Sequence, residues 1–80
     1  MRKVQIYSRR GCHLCDEALQ TLEILQRELG FEIDEIFIDG DSDLEYKYGE
    51  QVPVIHIENK LHDFFTVNPV RFRKAINESA

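Results

Sequence analysis

The sequence predicts one α/β domain over residues 1–80, ordered β-α-β-α-β-β-α, with four strands in a single mixed sheet. Three observations predict it. An alternating polar–apolar segment, Lys3–Ser8, runs almost directly into a long leucine-striped segment. Two later apolar runs are separated by a short turn and read as a hairpin. An Asn68-Pro69 pair then opens a closing helix, with asparagine as the cap and proline at the first helical position.

Lys3–Ser8 (Lys-Val-Gln-Ile-Tyr-Ser) has the period of two that marks a strand, and Arg9-Arg10-Gly11 breaks it. Leu14, Cys15, Ala18, Leu19, Leu22, Leu25 and Leu29 follow at three- and four-residue spacing. They form one apolar stripe on a helix expected over 12–29. Gly30 stands where a helix-terminating glycine belongs. The stretch 31–39 is rich in Ile and Phe and predicts a second strand, with its alternation slipping near Glu35 and Ile36. Asp39-Gly40-Asp41-Ser42-Asp43 is a loop with several N-cap residues, before a short helix over 44–48 ended by Gly49. Gln51-Val52-Pro53-Val54-Ile55-His56-Ile57 predicts a strand entered through proline, where no ladder donor is needed. Glu58-Asn59-Lys60 is the turn and 61–65 the returning strand. Phe72, Ala75 and Ile76 give the last helix its apolar side. The first strand–helix–strand unit should be parallel with a right-handed crossover, and the last two strands antiparallel.

Composition narrows the function classes. A domain of 80 residues buries only about 60–65% of its unfolded surface, so its core is thin. The formal net charge of −5 argues against nucleic acid as a partner. The charge is uneven: Arg2, Lys3, Arg9 and Arg10 lie in the first ten residues, whereas the stretch from Glu32 to Glu50 holds eight acids and one base, Lys47. The acidic stretch reads as a solvated face. No apolar run is long enough to span a membrane, and the basic start lacks the apolar stretch of a signal peptide. A cytoplasmic protein with no membrane association is expected, and a monomer. In that compartment thiols are kept reduced, so a structural disulfide is not expected.

The two cysteines, Cys12 and Cys15, are spaced C-x-x-C at the junction of the first strand and the first helix. The first turn of a helix presents unpaired N–H groups and the positive end of the helix dipole. A thiolate there is stabilised, and its pKa is expected below the usual thiol value of about 8.5. Cys12 is at the more exposed helix start, and Cys15 lies one turn deeper on the apolar side. This assigns Cys12 as the attacking thiol and Cys15 as the resolving thiol of a thiol–disulfide oxidoreductase. Arg9 and Arg10 place permanent positive charge beside the nucleophile and favour anionic substrates. His13 adds charge only at lower pH and reads as a spectator. Asp16, four residues after Cys12, shares its helical face, where it opposes the thiolate or simply complements the helix dipole.

The segment Tyr-Ser-Arg-Arg-Gly-Cys-His-Leu-Cys after a strand, the leucine-striped helix, the Tyr-Gly-Glu-Gln-Val-Pro-Val segment and the terminal helix resemble a glutaredoxin-like protein of the thioredoxin superfamily. The resemblance covers nearly the whole chain. It implies a thioredoxin-like, glutaredoxin-like sheet of four strands with helices on both faces. It also implies a cis peptide bond between Val52 and Pro53, with Pro53 beside the cysteine pair. The backbone of Val52 would then pair with a bound peptide or glutathione. Arg9, three residues before Cys12, resembles the residue that contacts the glutathione carboxylate. Substrate contacts are therefore expected at Arg9, Arg10, Val52 and Pro53. No tightly bound cofactor and no metal are expected; glutathione is a candidate co-substrate. The expected partners are protein or small-molecule disulfides, with glutathione or a thioredoxin reductase as electron donor. The chain departs from the family in three places. His13 and Leu14 stand between the cysteines instead of Pro-Tyr. There is no tryptophan. The region of the usual Gly-Gly pair reads Asp63-Phe64-Phe65-Thr66-Val67-Asn68.

Other classes explain less. As a structural staple, a Cys12–Cys15 disulfide closes a very short loop worth only about 2 kcal/mol. A zinc site would need His56 and His62, which lie outside the usual ligand spacings. A soft-metal carrier for copper or zinc also uses C-x-x-C after a first strand, but Arg9 and Arg10 disfavour a cation there. A non-catalytic binding module would keep the fold and make little use of its thiols.

Overall fold

The computed structural model describes residues 2–78, so Met1, Ser79 and Ala80 of the expected domain lie outside the described residues. The elements are β1 (Lys3–Ser8), α1 (His13–Leu29), β2 (Glu32–Phe37), α2 (Ser42–Tyr48), β3 (Val54–Ile57), β4 (Lys60–Phe64) and α3 (Pro69–Glu78). The sheet order is β2-β1-β3-β4, with β1 parallel to β2 and antiparallel to β3, and β4 antiparallel to β3. The mixed sheet and the element order are as the sequence predicts.

β1 is central because both of its faces are covered. Val4, Ile6 and Ser8 point to one face and are buried; Gln5 and Tyr7 point to the other. On the first face, Val4 and Ile6 pair in register with Ile57 and Ile55. There they join Ala18, Leu22 and Leu25 of α1 and Phe72 and Ile76 of α3 in one core. Phe31 and Phe72 meet at 5.2 Å between ring centroids. Arg73 of α3 forks onto Glu28 of α1 at 2.7 and 3.0 Å, tying the two helices together at the surface. On the second face, Tyr7 packs against Tyr48 of α2 at 4.8 Å and against His56 of β3 at 5.1 Å. Helices therefore cover both faces, α1 and α3 on one and α2 on the other. α2 buries none of its side chains fully, so that layer is thin.

Local chemistry fixes the element ends. Gly30 takes φ 70°, the left-handed conformation that costs glycine little, and its N–H closes α1 on the Gln26 carbonyl. Asp41 caps α2 through its side chain, which accepts from the N–H groups of Asp43 and Leu44. Asn68 does the same for α3, accepting from Val70 and Arg71. Glu58 and Asn59, both at positive φ, make the tight hairpin turn.

Several expectations shift. α2 begins at Ser42, two residues before its expected start, because Asp41 is the loop residue that caps it, and β4 is displaced by one residue to Lys60–Phe64. The second strand is shorter than predicted, since Phe31 and Ile38 are buried outside its ladder. Ile33 and Ile36 fall on opposite faces and Glu35 is exposed, because β2 is an edge strand and the helices do not cover it fully. The third strand begins at Val54, so residues 51–53 form the approach to the sheet rather than part of it. Leu14 is not part of the buried stripe: it is 48% exposed at the start of α1, one step around the helix from the buried Cys15. Among the described residues, no helix is long and apolar enough to cross a membrane.

Candidate functional site

The site is built where β1 ends. Residues 9–12 turn back on themselves, with the Cys12 N–H bonded to the Arg9 carbonyl at 3.2 Å and Gly11 at φ 74°. A positive φ is cheap only for glycine, which is why Gly11 can deliver Cys12 to the helix start. Cys12 is the N-cap of α1, with extended backbone angles (φ −90°, ψ 113°). Its Sγ accepts the N–H of Cys15 at 3.2 Å. The sulfur thus takes the place that an oxygen fills in an ordinary cap. An anionic sulfur in this position gains a charge-assisted hydrogen bond and faces the positive end of a 17-residue helix.

The two cysteines are not equivalent. Both are reduced, Cys12 half-buried and Cys15 buried at 2% exposure. Burial, reinforced by the hydrogen bond with Cys12, pushes the Cys15 thiol up to about 11. Two groups act in the opposite direction, the main chain of Arg9 and the hydroxyl of Ser8. Ser8 is 1% exposed, and its hydroxyl completes no hydrogen bond in the dithiol state.

The Val52–Pro53 peptide bond is cis. Tyr7 pairs with Val54 in antiparallel register, which puts Pro53 one step further, opposite the end of β1 and at the edge from which the Cys12 turn departs. Pro53 is buried, and its carbonyl accepts the N–H of Phe65 at 2.8 Å. Phe65 itself is held at φ 72°, an uncommon and strained conformation for an aromatic residue. It stacks edge-on with Phe64 at 5.0 Å, and both rings are partly exposed at the end of β4. The predicted residues Cys12, Cys15, Val52 and Pro53 therefore lie at one end of the sheet.

The two arginines are placed differently from each other. The Arg10 guanidinium lies over the Phe37 ring, 4.7 Å from its centroid, and its N–H donates to Asp39 Oδ1. The Arg9 guanidinium reaches the other layer, where its Nη2 is 3.2 Å from the position a Cβ on Gly49 would take. That is the carbonyl end of α2, where a cation is favoured. His56 is packed with Tyr7 and Tyr48 on the second face, and His62 with Phe72 on the first. Burial holds both imidazoles below the ordinary histidine range. Among the described residues, no three His, Cys, Asp or Glu side chains are grouped to hold a metal ion.

Two features are not evident along the chain. Ser8 is a strand end in the sequence, and only its inward parity (Val4, Ile6, Ser8) signals that the hydroxyl is buried. Phe65 carried no signal of its own, because nothing in its neighbours announces a positive φ.

A C-x-x-C pair at a strand–helix junction, on a mixed sheet flanked by helices and with a cis proline at the same end of the sheet, defines a thioredoxin-like protein. Comparison with known proteins places it more narrowly. Residues 3–77 match the glutaredoxin-like domain (DUF836), and the chain belongs to that family within the thioredoxin superfamily. Relatives include an uncharacterized protein of Mycobacterium bovis, 29% identical over 82 residues, spanning 96% of this chain and 84% of that one. Similar solved structures include Ne2328 of Nitrosomonas europaea, 34% identical with a TM-score of 0.82, covering 92% of this chain and 89% of the other. The XcR50 protein of X. campestris is 31% identical with a TM-score of 0.78, over 96% and 99%. Fasciola hepatica thioredoxin shares the fold at 20% identity, with a TM-score of 0.63 over 99% and 81%.

Proposed function

We propose that the protein is a cytoplasmic thiol–disulfide oxidoreductase that works through Cys12 and Cys15. The observation that carries this reading is the Cys12 Sγ seated as the cap of α1, accepting the Cys15 N–H at 3.2 Å, with the buried Cys15 directly behind it. Cys12 attacks a substrate disulfide, forms a mixed disulfide and releases the first substrate thiolate. Cys15 then attacks Cys12, the Cys12–Cys15 disulfide forms, and the second thiolate leaves. The dithiol is oxidised and the substrate reduced by two electrons. Substrates are protein or low-molecular-weight disulfides. Val52 and Pro53 form the wall against which they lie. Glutathione or a thioredoxin reductase returns the electrons.

The test uses insulin reduction in the presence of dithiothreitol for turnover and, with the dithiothreitol removed from the reduced protein, mass spectrometry of the protein after mixing with insulin. Cys12→Ser should abolish turnover, and Cys15→Ser should accumulate a mixed disulfide on Cys12. A mixed disulfide that accumulates in Cys12→Ser and not in Cys15→Ser would reverse the roles. Tight copper or zinc binding by an inactive wild-type chain would make it a metal carrier instead.

A further inference from the structure

β1 presents three inward residues toward α1 and α3. Val4 and Ile6 join the common core, and Ser8 ends the row with a hydroxyl. That hydroxyl is buried and completes no hydrogen bond in the dithiol protein. A buried hydroxyl without a partner is unfavourable, and alanine would fill the position without that loss. Such a group calls for a reason in each protein that keeps it. The reason here is its neighbourhood: Ser8 ends the buried inward row of β1 where Cys15 begins the buried row of α1, and its hydroxyl acts on the Cys15 thiol.

We infer that Ser8 is a positioning residue whose hydroxyl donates a hydrogen bond to the Cys15 sulfur as it becomes a thiolate and attacks the mixed disulfide on Cys12. This rests on the dithiol reading above. In the dithiol protein the hydroxyl makes no hydrogen bond, and a thiol sulfur is only a weak acceptor; the hydroxyl's favourable interaction is with the Cys15 thiolate. A thiolate is a strong acceptor, and the bond becomes charge-assisted. The interaction therefore strengthens as the reaction proceeds, which is the condition for it to raise the rate. In the step itself, the Cys15 proton passes to solvent and the Cys15 sulfur bonds to the Cys12 sulfur. The Cys12–substrate bond breaks, and the substrate sulfur leaves with the electron pair and is then protonated. No further oxidant or reductant is needed.

Ser8 answers a specific difficulty. Burial opposes ionisation of Cys15, and the resolving step needs its thiolate. Besides burial, the groups that act on the Cys15 thiol are the Cys12 thiol at the start of its own helix and the Arg9 main chain and Ser8 hydroxyl at the end of β1. Across β1, the start of β3 brings Val54 and Pro53, neither of which titrates. The Arg9 charge is carried away to Gly49 and the Arg10 charge to Phe37, so Ser8 is the nearby side chain that favours the anion.

The experiment is stopped-flow reaction of the reduced protein with 5,5′-dithiobis(2-nitrobenzoate), followed by release of the coloured thiolate. The first release reports attack by Cys12 and the second reports resolution by Cys15. In Ser8→Ala, the second release should be about tenfold slower at neutral pH, and its pH profile should move to higher pH. The first release should stay within about twofold of wild type. The melting temperature should be unchanged or higher, since an unsatisfied donor is removed. Ser8→Thr, which keeps the hydroxyl, should restore the second release to within about threefold. The inference is overturned by a Ser8→Ala protein whose second release is unchanged, whose two releases slow together, or which is less stable or unfolded. It is equally overturned by a folded Ser8→Thr protein as slow as Ser8→Ala. A wild-type protein that releases only one equivalent refutes the dithiol reading and this inference with it. Two normal releases in wild type with a fast Ser8→Ala remove the role of Ser8 alone.

Discussion

Burial of Cys15 makes folding stability depend on pH in the alkaline range, and the dependence can be isolated. In the folded protein the thiol titrates at about 11, against 9.0 for an unperturbed cysteine. The folded value is the raised one, so the stabilisation is fully present below pH 9.0 and is lost as pH rises through about 11. In that window the unfolded chain has released the proton while the folded chain still holds it. A shift from 9.0 to about 11 is at most about 2.7 kcal/mol. The neighbouring Cys12 is only half-buried, and water screens part of the charge, so a loss of about 1–2 kcal/mol is expected. The perturbation is Cys15→Ala, compared with wild type by urea denaturation from neutral pH up through the window, under a non-thiol reductant. Alanine costs stability at every pH by removing a buried side chain. What matters is the difference in slope. Wild type should lose about 1–2 kcal/mol more than the variant between pH 9.0 and about 11. Tyr7, whose phenol is also raised by burial, titrates in both proteins and cancels in the difference. Parallel pH curves would refute the reasoning, because Cys15 would then ionise as readily folded as unfolded.

Two further outcomes follow from other parts of the structure. His62 is held below the ordinary histidine range chiefly by burial, so the unfolded chain takes up the proton first and stability should fall as pH drops through 6.5. His62→Phe, which keeps an edge contact with Phe72, should flatten that acid limb in urea denaturation, and an unaltered limb would move the effect to His56 or elsewhere. Gly49 has ordinary helical angles, so its lack of a side chain matters for space rather than for φ. A Cβ there would overlap the Glu45 carbonyl and crowd the Arg9 guanidinium, so Gly49→Ala should cost about 1–3 kcal/mol by the same assay, and a neutral result would show that the end of α2 has room to shift.

The sequence by itself determined most of what depends on contacts between near neighbours in the chain. The alternation of Lys3–Ser8 gave β1 with its observed bounds, and the leucine spacing gave α1 to within one residue at its start. Gly30 and Asn68 marked helix ends because capping is a contact between near neighbours, whereas the acidic loop offered several caps and Asp41, the one used, starts α2 two residues earlier than expected. The place of Cys12 at a helix start was legible for the same reason. The cis bond before Pro53 was legible only through family resemblance, since no periodicity encodes it. Tertiary structure alone decided what packs across the chain. Leu14 belonged to the apolar stripe by spacing, but the stripe is wider than the contact surface of a thin core, and the helix turns Leu14 outward. Arg9 and Arg10 are consecutive, so the strand end sends them to opposite layers, toward Gly49 and toward Phe37. The pairing of Tyr7 with Val54 carries Pro53 to the end of β1, and the inward parity of Ser8 meets Cys15 only because α1 folds back over the sheet. Periodicity is set by backbone geometry within a few residues, whereas each of these contacts depends on how distant segments settle against one another in the core.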